Sequence, residues 1–116
     1  RWFEGQPEPT VEFRAPNIVL AEVGAALARM RVSPERANDV VAAMLGNPYL
    51  VLDPITAPLA VRAGTIAMER RIRGCDAIYV ALAEASGLPL LTFDRQQAQR
   101  AAGLIEVVEL RGGDAS

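Results

Sequence analysis

A chain of 116 residues is the length of one ordinary domain. Half of it is hydrophobic (51%) and only 5% is aromatic, so the core must be built from Ala, Leu, Val and Ile, a composition suited to helices packed on a small sheet. A net charge of −2 excludes a general electrostatic pull on nucleic acid, the absence of histidine excludes Ser-His-Asp and Cys-His nucleophiles and every histidine-bound metal, and the single Cys75 excludes an internal disulfide or a cysteine zinc cluster. Acid–base or metal chemistry must therefore run on carboxylates, basic side chains, Tyr or water. The mean hydropathy of +0.16 leans towards some apolar surface being covered by a partner. A lone thiol fits a reducing, cytoplasmic setting. No stretch reaches the roughly 20 apolar residues of a membrane span, and Arg1-Trp2-Phe3-Glu4-Gly5 has no apolar leader pattern.

Residues 1–15 read as an entry segment with a turn at Gly5-Gln6-Pro7-Glu8-Pro9. Asn17 to about Arg31 reads as a helix that is apolar on most faces and hence well buried, with Asn17 as its cap. Ser33-Pro34-Glu35 opens a second helix that runs to Leu45 and stops at Gly46-Asn47-Pro48. Tyr49-Leu50-Val51-Leu52 reads as a strand between Pro48 and Asp53-Pro54. Thr56 caps a long helix predicted to end near Arg73-Gly74, and a helix from Asp76 to Ser86 stops at Gly87. Leu88 to Phe93 is a predicted strand, Asp94 to Ala102 a helix closed by Gly103, and Leu104 to Leu110 a last strand. The expected organisation is a single domain over residues 1–110 with a flexible tail at 111–116. Helix–strand alternation in the second half predicts an α/β fold, a parallel sheet with helices on both faces. Ligands in such folds bind beyond the C-terminal strand ends, where Asp94 follows Leu91-Thr92-Phe93.

Three acids stand out. Glu22 lies in a nearly apolar helix, where a buried charge needs a partner or a metal; otherwise it lies on a solvated stripe or pairs with an arginine. Asp76 and Asp94 each begin a helix, where Asp is a favoured N-cap, so each has a purely structural explanation as well. Together they form a candidate cluster of hard oxygen ligands, suited to Mg2+ or Mn2+ rather than zinc.

Three segments carry a resemblance. Ala15-Pro16-Asn17-Ile18-Val19-Leu20-Ala21-Glu22-Val23-Gly24-Ala25-Ala26-Leu27 resembles the AP-x3-L-x-E helix of PIN-domain ribonucleases. Cys75-Asp76-Ala77-Ile78-Tyr79-Val80-Ala81-Leu82-Ala83 resembles their D-A-x-Y-x-A-L-A helix, and Leu90-Leu91-Thr92-Phe93-Asp94 their L-L-T-x-D strand end. Order and separations agree, and the similarity spans about Trp2 to Leu110, with VapC-type toxins of toxin–antitoxin pairs as the nearest subgroup. The resemblance implies a PIN-like three-layer fold and a metal-dependent endoribonuclease. It makes Glu22, Asp76 and Asp94 catalytic metal ligands for Mg2+ or Mn2+, with Thr92 as a supporting hydroxyl. It also implies an RNA substrate, a homodimer and an antitoxin partner.

Arg73 and Arg95, beside the acids in sequence, are candidate RNA contacts; Arg70 and Arg71 read as an ordinary basic helix end. The family pattern opens on a strand ending in D-x-S, and no counterpart of that strand and its Asp follows Arg1. The cost of leaving two strands unpaired favours a segment lying upstream of Arg1. Two further readings follow from the same residues. One is a non-catalytic PIN-like module that binds nucleic acid or protein. The other is a flavodoxin-like α/β domain whose acids only cap helices.

Overall fold

The computed structural model describes residues 12–92 and 95–110. The turn expected at Gly5–Pro9, the tail at 111–116 and Asp94 lie outside the described residues. The described chain runs β1 (Phe13–Pro16), α1 (Val19–Arg29), α2 (Pro34–Leu45), β2 (Leu50–Asp53), α3 (Ala57–Arg70), α4 (Gly74–Ser86), β3 (Leu90–Thr92), α5 (Arg95–Ala101) and β4 (Val107–Glu109). It forms two compact units, divided along the chain between Asp53 and Pro54. The described strands pair two by two, β1 with β2 and β3 with β4, both in parallel. Parallel pairing with intervening helices is the α/β organisation expected from the sequence.

In the first unit β1 was not anticipated. A four-residue strand that holds an arginine and ends in proline carries no strand signal of its own. It exists because β2 lies beside it, with Phe13 opposite Leu50 and Pro16 opposite Asp53. The Phe13 amide donates to the Tyr49 carbonyl at 2.8 Å and the Asn17 amide to the Asp53 carbonyl at 2.9 Å, so the ladder bridges the proline from both sides. Across it the Arg14 guanidinium grips the Asp53 carboxylate with two bonds, at 3.1 and 2.7 Å. Asn17 does not cap α1; Ile18 holds that position and offers no side-chain bond. Nor is α1 well buried: none of its residues is fully enclosed, and Ala21, Ala25 and Ala28 form its outward stripe. An apolar helix face predicts burial only where another element covers it. The second helix starts as expected, with Ser33 Oγ accepting from the Arg36 amide at 3.3 Å and Pro34 at the first helical position.

The second unit holds the core: Ala63 and Ile66 of α3, Ile72, Ala77, Val80, Ala81 and Ala83 of α4, Leu90 of β3 and Ala101 of α5. Alanines on the facing sides of α3 and α4 let the two helices come close, and Ile66 and Val80, both 0% exposed, fill the space between. Thr56 Oγ1 accepts from the Leu59 amide to start α3, as expected. The helix ends at Arg70 rather than near Arg73, because Arg71 turns into the left-handed region at φ 56°. Gly87, at φ 68°, ends α4 at little steric cost. On the outer side of this pair Arg62 holds Glu84 through a two-pronged contact at 2.7 and 2.8 Å.

Two outcomes follow. Ile66→Ala leaves a cavity at the centre of this unit and is expected to lower unfolding free energy by about 2–5 kcal/mol; a denaturant midpoint unchanged from wild type would contradict the packing described. The hydrogen bonds from Arg62 hold the Glu84 carboxyl below the usual glutamate range, against a smaller opposing push from burial. A carboxyl whose folded pKa is depressed adds stability that is complete above its unfolded pKa and disappears as pH falls through the folded one. The gap in melting temperature between wild type and Glu84→Gln should therefore be widest near neutral pH and close below about pH 4. A gap that is flat with pH would show that the pair contributes no charge-dependent stability.

Candidate active site

The second unit carries an open cleft of about 290 Å3 lined by Ile72, Arg73, Asp76, Gln96, Gln97 and Arg100. Its walls are the start of α4 and the outward face of α5. Asp76 is not an N-cap: Arg73 occupies that position, makes no capping bond, and puts Asp76 in the first turn of α4. The reading of Asp76 as an N-cap therefore fails; its carboxylate stands instead in the first turn, where a negative charge is also favourable. Its side chain is 25% exposed and faces the cleft, where Arg73 Nε meets Oδ2 at 3.1 Å. Arg73 itself is 81% exposed and held by this single-pronged contact. An exposed ion pair of this kind is weak, so its cation exchanges readily to another anion.

The other residues singled out from the sequence fall in different places. Thr92 ends β3 and is 7% exposed; its hydroxyl donates to Gln97 Oε1 at 2.6 Å. Arg95 reaches Glu109 of β4 at 3.5 Å and is 69% exposed. Glu22 is half-buried on α1 and belongs to the first unit. Asp94 lies outside the described residues. The Arg70 side chain and the Arg71 backbone are both engaged with the end of α5. Arg70 Nη1 donates to the carbonyls of Arg100 and Ala102 at 3.3 and 2.9 Å, and Arg100 Nη1 donates back to the Arg71 carbonyl at 2.6 Å. This reciprocal clasp ties the end of α3 to the end of α5 and so fixes one wall of the cleft.

Gln96, Gln97 and Arg100 were not anticipated as cleft residues. Their only sequence signal is spacing, since Gln96 and Arg100 are one helical turn apart directly after a strand end.

Residues 1–103 match the PIN domain. The chain belongs to the PIN domain family. Neither a curated protein nor a solved structure gives a match. PIN domains are in general nuclease domains, typically dependent on divalent metal ions, and a nuclease domain implies nucleic-acid binding. The described lining of the cleft offers carboxylate and amide oxygens from Asp76, Gln96 and Gln97, hard donors of the kind that divalent ions take. Among the described residues no three His, Cys, Asp or Glu side chains are grouped to hold a metal. Also among the described residues, no helix is long and apolar enough to cross a membrane.

The clasp generates a prediction. Arg70→Met removes donors from two carbonyls and should cost about 1 kcal/mol of stability, read as a lowered urea midpoint; an unaltered midpoint would mean that α5 is held by packing alone.

Proposed function

We propose that this PIN domain is a metal-dependent endoribonuclease that hydrolyses RNA phosphodiester bonds, and that it is the toxin of a toxin–antitoxin pair of the VapC type, acting in the cytoplasm as a homodimer. The observation that carries the reading is Asp76. It sits in the first turn of α4 without capping it, half-buried, facing a cleft whose described lining is otherwise guanidinium groups, amides and Ile72. A carboxylate with no capping duty among hydrogen-bond donors suits a site for a cation and an anionic substrate.

In this reading Glu22, Asp76 and Asp94 hold Mg2+ or Mn2+, and Thr92 supports the site from β3. When bound, the ion lowers the pKa of water and stabilises charge on the phosphate. The chain's own residues supply the rest. Arg73 leaves Asp76 for a phosphate oxygen of the incoming strand, and Arg95 at the start of α5 offers a second guanidinium. An overall charge of −2 makes such local arginines the main source of attraction for RNA. Support for a protein partner comes from exposed apolar side chains, Met68 at 79%, Met30 and Val61 at 71%, and Leu45 at 61% among them.

A second reading rests on the Arg73–Asp76 contact. If the guanidinium stays on the carboxylate in the presence of metal, the chain is a non-catalytic module that binds nucleic acid or protein.

The two readings separate in one experiment, RNA cleavage followed on a gel with Mn2+ added. The nuclease reading expects Asp76→Asn and Asp94→Asn each to lose at least about a hundredfold in rate, the scale of losing one preorganised charged group. Cleavage that is equal in wild type and both variants would falsify it, and a wild type that binds RNA without cutting it supports the second reading.

A further inference from the structure

The left-handed turn that ends α3 is made by an arginine. Arg71 has φ 56°, a conformation that glycine adopts freely and other residues only at a cost. In the same unit α4 ends on a glycine in that conformation, Gly87 at φ 68°. Glycine would therefore serve the turn after α3 as well. A cation near a helix C-terminus is favourable, but Arg70 in the last turn of α3 already supplies one. The Arg71 side chain is exposed, and among the described residues its guanidinium makes no hydrogen bond or ion pair.

Its backbone, by contrast, is fixed. Arg100 Nη1 donates to the Arg71 carbonyl at 2.6 Å, and Arg100 lines the cleft. Arg73, two residues on, lines it as well. An exposed guanidinium is thus tethered at the edge of the cleft by a residue of the cleft wall. All 12 basic residues of the chain are arginine, and four of them, Arg70, Arg71, Arg73 and Arg100, come together at this corner. Arg70 and Arg100 hold backbone carbonyls and Arg73 holds Asp76, which leaves Arg71 as the one whose guanidinium has no partner among the described residues. The planar fork of arginine matches a phosphate, to which it donates two bonds at once. A single-stranded RNA that enters the cleft carries further phosphates past its edge.

Resting on the nuclease reading, we propose that Arg71 is a substrate-binding residue whose guanidinium donates to a backbone phosphate of the RNA strand beside the phosphate held in the cleft. The strain of the turn is then the cost of placing a guanidinium where glycine would place none.

Arg31 supplies a matched comparison. It follows α1 at φ 62°, is exposed, and belongs to the first unit. Arg31→Gly removes the same charge and relieves the same conformation.

The test uses the 116-residue chain and labelled single-stranded RNAs of several sequences. Binding is read by fluorescence anisotropy over a range of salt without divalent cation, stability by urea denaturation, and cleavage separately with Mn2+. Arg71→Gly is expected to weaken binding roughly fivefold at about 0.1 M salt, for every sequence alike, without lowering the urea midpoint. The slope of log affinity against log salt should become shallower by about 0.7, the share of one phosphate on a single strand. In cleavage the loss should appear in KM rather than kcat. Arg71→Lys, which keeps the charge, should keep that slope and most of the affinity, and Arg31→Gly should bind as wild type. Wild-type binding in Arg71→Gly overturns the proposal. So does an equal loss in Arg31→Gly, which makes the effect one of net charge. A lowered midpoint in Arg71→Gly with unchanged binding assigns the arginine to the helix end and overturns it too. Loss of poly-glutamate binding with RNA binding intact assigns the guanidinium to an acidic protein partner instead. If Asp76→Asn abolishes cleavage while Arg71→Gly binds as wild type, this inference fails and the nuclease reading stands. If the wild type binds RNA without cutting it and Arg71→Gly weakens that binding, the nuclease reading fails and the phosphate contact stands. If the wild type neither binds nor cuts RNA, both fail.

Discussion

The close approach of α3 to α4 is the constraint on which the second unit depends. Ala63 and Ile66 meet Ala77, Val80 and Ala81 with almost no exposed surface. Alanine at such a contact contributes little burial of its own, but it allows the larger Ile66 and Val80 to pack against neighbouring backbone. Anything that widened this contact would move the start of α4, and Asp76 with it. The left-handed turn at Arg71 breaks the chain sharply between the two helices, so Arg73 and Asp76 emerge at the edge of the core rather than within it. The Arg62–Glu84 pair reinforces the same contact from outside, where solvent limits its value.

From that anchored edge the cleft is assembled by polar ties. Arg70 and Arg100 each donate to backbone carbonyls at the end of the other's helix, which uses their charge to satisfy groups that a helix end leaves without partners. Thr92 links β3 to α5 through Gln97. Arg95 and Glu109 join α5 to β4. Four of the arginines near the acids are thus engaged in quite different ways. Arg70 and Arg100 are structural, Arg95 is loosely paired on the surface, and Arg73 rests on the carboxylate that a nuclease site would use. The division matters for function, because a guanidinium clasped to the backbone cannot follow a substrate while one held by a single exposed contact can.

Much of this was legible in the residues. The caps at Ser33 and Thr56, the stop at Gly87 and a strand through Leu50–Leu52 are local events, decided by side-chain oxygens, backbone freedom and residue type within a few positions. The motif around Asp76 pointed to the family that the match over residues 1–103 then established. Two local readings failed for reasons that are not local. The strand Phe13–Pro16 has no intrinsic preference to be one and is created by the neighbouring β2. The apolar pattern of α1 suggested enclosure, but pattern specifies which face would be covered and not whether something covers it.

The amino-acid sequence by itself therefore determined the element types other than β1 and the parallel α/β organisation, and it left no histidine for the site's chemistry, since these depend on composition and on spacing along the chain. Only the tertiary structure decided that Asp76 faces a cleft instead of capping its helix, that Gln97 and Arg100 share that cleft, and that Thr92 turns its hydroxyl to Gln97. Those facts rest on contacts between residues from different elements, α4 against α5 and β3 against α5. No local preference encodes such contacts, because each exists only after the core has brought its two partners together.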